Sequence, residues 1–223
     1  AVQYLRVLVE QGGLGTIRTV RAAYLMALSK HLLGWRSSKT SAGSGVLADI
    51  GSHLVHLVQF VAGDVASLCA SQRRFRDDPD SDVEDWIAFV AEFASGARGT
   101  FEISRVCAGR GAGITEDMFI EVYGTKGSAL FSLQEPCALR VALGAEAGDP
   151  SCALVRQGVP VEYLRPIDGV DARWSYRFDQ AAQFVESVRR GPARAPSFED
   201  GVRCQAVLDA ALRSSEERGW VRV

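Results

Sequence analysis

The stretch Glu84-Asp-Trp-Ile-Ala-Phe-Val-Ala-Glu-Phe-Ala-Ser-Gly-Ala-Arg-Gly-Thr-Phe-Glu-Ile-Ser-Arg-Val106 carries apolar side chains at every second position. It predicts a strand over Glu84–Phe93, a turn at Ser95–Gly96 and a returning strand over Gly99–Val106. The first strand is apolar on both faces: Ile87, Phe89, Ala91 and Phe93 on one, Trp86, Ala88 and Val90 on the other. One face has helices to cover, and the other needs a further partner.

Working outward, Phe119–Tyr123, the turn Gly124–Gly127 and Ser128–Leu133 predict a second hairpin. Leu139–Leu143 and Val155–Leu164 are weaker strands. Upstream, Thr16–Leu25 and Val65–Arg76 read as strands, the latter followed by an acidic turn at Asp77–Asp82. Helical periodicity marks Ala1–Glu10, stopped at Gly12–Gly13, and Gly45–Val61, stopped at Gly63. It returns in Ser175–Arg190, with Phe178, Ala181, Ala182, Val185 and Val188 on one face, and a proline break follows at Pro192–Pro196. Phe198–Arg218 is the last helix, with Ser197 and Asp200 as a capping box and Gly219 as its stop, before a short strand Trp220–Val223. Strands cluster in the middle and do not alternate with helices. The fold class is therefore α+β: an open, mostly antiparallel β-sheet with helices packed on one face.

The chain has 223 residues, enough for one core. Its net charge of -2, with scattered arginines, argues against a nucleic-acid surface. No apolar run reaches the ~20 residues of a membrane span. Five cysteines, none at C-x-x-C spacing, fit reduced thiols of a cytoplasmic protein better than disulfides or zinc. Ala1 already reads as the inside of a helix, which predicts a fragment of a longer protein.

Chemistry concentrates in Gly43-Ser-Gly-Val-Leu-Ala-Asp-Ile-Gly-Ser-His-Leu-Val-His56. In a regular helix Asp49, His53, His56 and Phe60 form one stripe, about 100° from the Leu47, Ile50, Leu54 core stripe. A carboxylate and an imidazole sharing a face suit general acid–base work, since histidine titrates near ~6.5 and an adjacent Asp fixes its tautomer or holds a substrate hydroxyl. A satisfied buried pair is the bland alternative. A metal site on Asp49, His53 and His56 is another, but no second His-rich segment completes a shell, so none is expected. Gly43-Ser-Gly-Val-Leu-Ala48 matches a dinucleotide fingerprint by chance, because a loop and not a strand precedes it.

These residues resemble a known family. Trp35-Arg36, then Ala42 through His53, then Gly63-Asp64 are similar to the C-terminal portion of the Gfo/Idh/MocA oxidoreductases, with their Trp-Arg pair and D-x-G-x-H helix. Phe101–Arg105 with Gly109-Arg110, Glu121–Ser128, and Pro196–Gly201 through Val221 continue the resemblance, which covers nearly the whole chain and is weaker over Leu139–Trp174.

The resemblance implies a glyceraldehyde-3-phosphate-dehydrogenase-like C-terminal domain over residues 1–223, serving substrate binding and oligomerisation. A separate N-terminal Rossmann domain, outside this chain, would bind NAD or NADP and supply a catalytic lysine. His53 would exchange a proton with the reacting hydroxyl and Asp49 would be its partner and substrate anchor. Trp35 and Arg36 would meet the nicotinamide end of the cofactor, Arg36 also the substrate, with a packing Trp and a surface Arg as the alternative. Arg105 would line the sugar pocket or else be a strand-edge charge. His56, where many relatives have Asp, would bear on substrate choice or merely face the core. The implied reaction is hydride transfer between a sugar or polyol hydroxyl and nicotinamide, in a homodimer or homotetramer formed through the sheet face, this portion being inactive alone. A non-catalytic sugar-binding or assembly module, and an NAD-dependent glycoside hydrolase, are the competing readings.

Overall fold

A computed structural model of the chain describes residues 1–28, 33–111, 117–144, 149, 151–164, 169–171, 175–191 and 196–223. Of the sequence features above, residues 192–195 of the proline break lie outside the described residues.

The sheet is built from β1 (Ile17–Leu25), β2 (Val65–Arg73), β3 (Trp86–Phe93), β4 (Arg98–Ser104), β5 (Asp117–Gly124), β6 (Gly127–Ser132), β7 (Ala138–Leu143), β8 (Val155–Gly158) and β9 (Val221–Arg222). Their spatial order is β8-β7-β6-β5-β1-β4-β3-β2-β9. The β1–β4 pairing is parallel and the other pairings are antiparallel. Both expected hairpins form, with Trp86 opposite Ser104 and Phe119 opposite Ser132. β1 inserts between them, so the two hairpins become one continuous sheet. The expected strand Val155–Leu164 is shorter: it ends at Gly158, and Pro160 leads into a single helical turn at Val161–Tyr163.

The helices are α1 (Val2–Glu10), the four-residue α2 (Lys39–Ala42), α3 (Ser52–Ala62), α4 (Ser175–Arg190) and α5 (Phe198–Glu217). α5 lies along β2, α3 packs on β1, α5 and α1, and α1 reaches β6. The period of two predicts which strand face they cover. Ile87, Phe89, Ala91 and Phe93 are buried, while Val90 on the alternate face is exposed and Trp86 and Ala88 are half-exposed. Phe89 and Phe101 stack across β3 and β4 with ring centroids 4.4 Å apart. Each such large side chain contributes roughly 1.5–3 kcal/mol by leaving water.

β9 pairs only with Ser67 and Leu68, so the rest of β2 would present free N–H groups. Two serines of α5 close that edge: Ser214 Oγ accepts from Ala70 N at 2.8 Å, and Ser215 Oγ from Gln72 N at 3.2 Å. The capping box of α5 is present, with Ser197 N donating to Asp200 Oδ2 at 2.6 Å and Asp200 N to Ser197 Oγ at 3.4 Å. Its far end differs from expectation. The left-handed residue is Arg218, with φ 56°, and not Gly219.

α4 departs further. Its apolar stripe lies on the surface, with Phe178 53% and Val188 72% exposed. The run Lys39–Ala62 also departs, since by length and composition it is able to cross a membrane, with a mean hydropathy of 1.3 in its most apolar window. Half of that window is buried within the fold, the setting of a core helix.

Candidate active site

The central helix starts against β3. Gly43, at φ 79°, ends α2 and turns the chain. Gly45 then passes so close to the neighbouring backbone that a Cβ there would lie 1.9 Å from the Glu84 carbonyl oxygen. Glu84 satisfies the donors that a helix start leaves open. Its carboxylate accepts from Gly45 N at 2.8 Å and from Leu47 N at 3.0 Å, and its carbonyl accepts from Val46 N at 3.1 Å. The glycine fingerprint Gly43–Ala48 thus cradles an internal carboxylate.

Leu47–Gly51 winds as a π-helix before α3 begins at Ser52. The wider turn divides the stripe expected of a regular helix. Asp49 faces the preceding loop, where its Oδ1 accepts from Arg36 Nε at 3.0 Å. The Arg36 guanidinium lies 4.7 Å over the Trp35 ring, and Trp35 is 60% exposed. That turn is anchored from β3's approach: Asp82 N donates to Ser37 O at 3.1 Å, and Lys39 N donates to Asp82 Oδ1 at 2.6 Å. The acidic stretch before β3 therefore holds the Trp35–Arg36 turn in place. The expected partner of Asp49 was His53, and its observed hydrogen-bond partner is Arg36. His53 is exposed at the second position of α3, and among the described residues no hydrogen bond to its imidazole is present.

His56 sits on a different wall. It lines a cavity of about 260 Å³ with Arg6, Phe60, Asp200 and Arg203, where the Arg6 guanidinium lies 4.4 Å over the Phe60 ring. Burial pushes the His56 imidazole below the usual histidine value; Asp200 opposes this, and His53 and Arg203 add to it. Nothing in this geometry brings His56 to the Arg36–Asp49 pair.

Arg105 is neither a cleft residue nor a strand-edge charge. It is 1% exposed, behind the helix start, where its Nη2 donates to the Glu84 carbonyl at 3.2 Å. Its Nε and Nη1 are buried, with no hydrogen-bond partner among the described residues. Burial lowers its pKa, with Glu84, Asp49 and Asp85 opposing. The interior position follows from the strand register, since Arg105 directly continues β4 past the buried Ile103 and Ser104.

Glu84 and Asp85 are the residues that sequence reasoning missed. Asp85 accepts from Phe75 N and Arg76 N, both at 2.9 Å. Their signal was available: two adjacent acids open an otherwise apolar strand, and buried carboxylates need donors. Among the described residues no group of three or more His, Cys, Asp or Glu side chains is placed to hold a metal. The five cysteines are free thiols, and burial pushes Cys204 up to about 11.

A sequence profile described as the GFO/IDH/MocA C-terminal domain matches residues 2–130. Levoglucosan dehydrogenase of Pseudarthrobacter phenanthrenivorans is 27% identical over 258 residues, covering 100% of this chain and 64% of that protein. Inositol 2-dehydrogenase of Rhizobium meliloti is 25% identical over 185 residues, covering 80% of this chain and 50% of that protein. A solved levoglucosan dehydrogenase in complex with NADH and levoglucosan superposes with a TM-score of 0.86 at 27% identity, over 98% of this chain and 62% of that one. This chain thus spans less than two thirds of the length of these relatives.

Proposed function

The chain belongs to the Gfo/Idh/MocA oxidoreductases through their C-terminal domain, and on that premise we propose that residues 1–223 are the substrate-side domain of an NAD(P)-dependent sugar or polyol dehydrogenase. A separate dinucleotide-binding domain then accompanies it in the intact protein. The observation that carries this reading is the line of contacts Trp35–Arg36–Asp49 on the loop and π-turn that precede an exposed His53.

Each group has a task there. His53 takes the proton from the reacting hydroxyl oxygen in oxidation and returns it in reduction, as an imidazole in contact with solvent is able to do. Asp49, charge-paired with Arg36, accepts a hydrogen bond from a substrate hydroxyl and fixes which carbon is presented. Arg36, held flat by its stacking on Trp35, has donors left for a second substrate oxygen. The exposed indole of Trp35 offers a flat apolar face, which fits the planar nicotinamide end of a dinucleotide. When bound, that nicotinamide supplies the hydride acceptor or donor. The remainder of a dinucleotide belongs to the accompanying domain in this reading. Arg105 acts from behind the helix start, and His56 acts outside the reacting centre.

The open sheet face, with Trp86, Ala88 and Val90, supports assembly into a homodimer or homotetramer. We assign the protein to the cytoplasm on its free thiols.

The test is calorimetric titration of NAD and NADP into this chain and into the protein extended upstream, followed by a sugar and polyol screen. The reading expects binding and turnover in the extended protein only. Binding to neither points to a non-catalytic sugar-binding or assembly module. Sugar cleavage without net NADH release points to a glycoside hydrolase.

A further inference from the structure

We infer that Glu84 is a positioning residue for the reaction proposed above, setting the direction from which Asp49 and His53 leave the central helix. The inference rests on that functional reading for its catalytic consequence, and on geometry for the rest.

In a helix continuing from α2, Leu47 N would bond to the Gly43 carbonyl four residues back. Here it bonds to the Glu84 carboxylate at 3.0 Å, and Gly45 N bonds to the same group at 2.8 Å. Glu84 therefore stands in for the missing turn. The next donor pattern is the π-helix at Leu47–Gly51, which contains Asp49 and ends one residue before α3. A π-turn carries one residue more than an α-turn, and such bulges cluster at functional sites. With the helix start pinned to β3, the extra residue has nowhere to relax. It turns Asp49 toward Arg36 and leaves His53 exposed beyond it.

The pin is rigid on its own side. Glu84 is buried two residues before β3, its carbonyl takes both Val46 N and Arg105 Nη2, and Arg105 N bonds back to the Asp85 carbonyl at 3.0 Å. A buried carboxylate without these donors would be costly. Gly45 completes the seat, because any side chain there meets the Glu84 carbonyl. Glu84 touches no reacting atom in this scheme; it acts through backbone amides.

The test uses the intact enzyme with Glu84→Gln, which keeps the shape and loses the charge, and Glu84→Ala. Hydrogen exchange is read over residues 44–54 together with kcat and KM. The expected result is exchange faster by about tenfold or more at Gly45–Leu47, and a fall in kcat of about a hundredfold, as for a reacting group misplaced by ~1 Å. KM for substrate should change far less than kcat. Glu84→Asp, one methylene shorter, should recover part of both effects. Unchanged exchange overturns the pin, and opened amides with unchanged kcat overturn the positioning role. If Glu84→Ala fails to fold, Glu84→Gln decides between these outcomes. Should His53→Ala and Asp49→Ala leave turnover intact, the functional reading fails, while the exchange result still reports on the pin.

Discussion

Asp49 Oδ1 and Arg36 Nε lie 3.0 Å apart, and the same guanidinium stacks 4.7 Å over the Trp35 ring. A planar cation held between a carboxylate and an indole is a geometry that lysine does not reproduce. Arg36→Lys should therefore lower kcat/KM by about tenfold to a hundredfold, the scale of one charge-assisted hydrogen bond. Steady-state kinetics on the intact enzyme checks this, with circular dichroism showing that the fold is retained.

Gly45 and Gly43 are glycines for different reasons, and substitution separates them. Gly45→Ala drives a Cβ against the Glu84 carbonyl and should destabilise by about 1–3 kcal/mol. Gly43 has open space but sits at φ 79° and ψ -52°, a strained region for any residue with a Cβ, so Gly43→Ala should cost about 1–3 kcal/mol through the backbone alone. Urea unfolding of the two variants gives both values.

Arg218 holds the left-handed position at the end of α5. Arg218→Gly removes the Cβ strain and should stabilise by roughly 0.5–1 kcal/mol. A rise in the urea midpoint at constant slope confirms it, and a fall refutes it.

His56 gives the fold an acid-side dependence. Burial holds its pKa below that of the unfolded chain, so between the two values the unfolded state binds the extra proton. Stability is then complete above about pH 6.5 and declines as pH falls toward the folded pKa. His56→Gln should flatten the stability profile in that window, measured by urea unfolding at a series of pH values. Asp200, held down chiefly by the backbone N–H of Ser197, loses its contribution only at lower pH.

The sequence made the fold legible wherever a local period decides structure. The Glu84–Val106 hairpin, the capping box at Ser197 and the helix stop at Gly63 all depend on neighbours within a few residues. Strand order does not, so the parallel insertion of β1 beside β4 was invisible. The π-turn was equally hidden. It follows a helix start whose donors are met by Glu84, 37 residues away from Leu47, and it separates Asp49 and His56 that a regular helix would align. Arg105, read by resemblance as lining the sugar pocket or else as a strand-edge charge, is carried inside because it continues β4. The stripe of α4 misled in the opposite sense, its periodicity being correct and its burial absent.

In the proposed reaction His53 moves the proton of the reacting hydroxyl. The most direct measurement is kcat of His53→Ala in the intact enzyme, with a sugar or polyol substrate and NAD or NADP. A loss of about 10²–10⁴-fold is expected, the range of a general acid–base, with the fold unchanged, since His53 is exposed and packs no core. Turnover equal to that of the parent enzyme would contradict it.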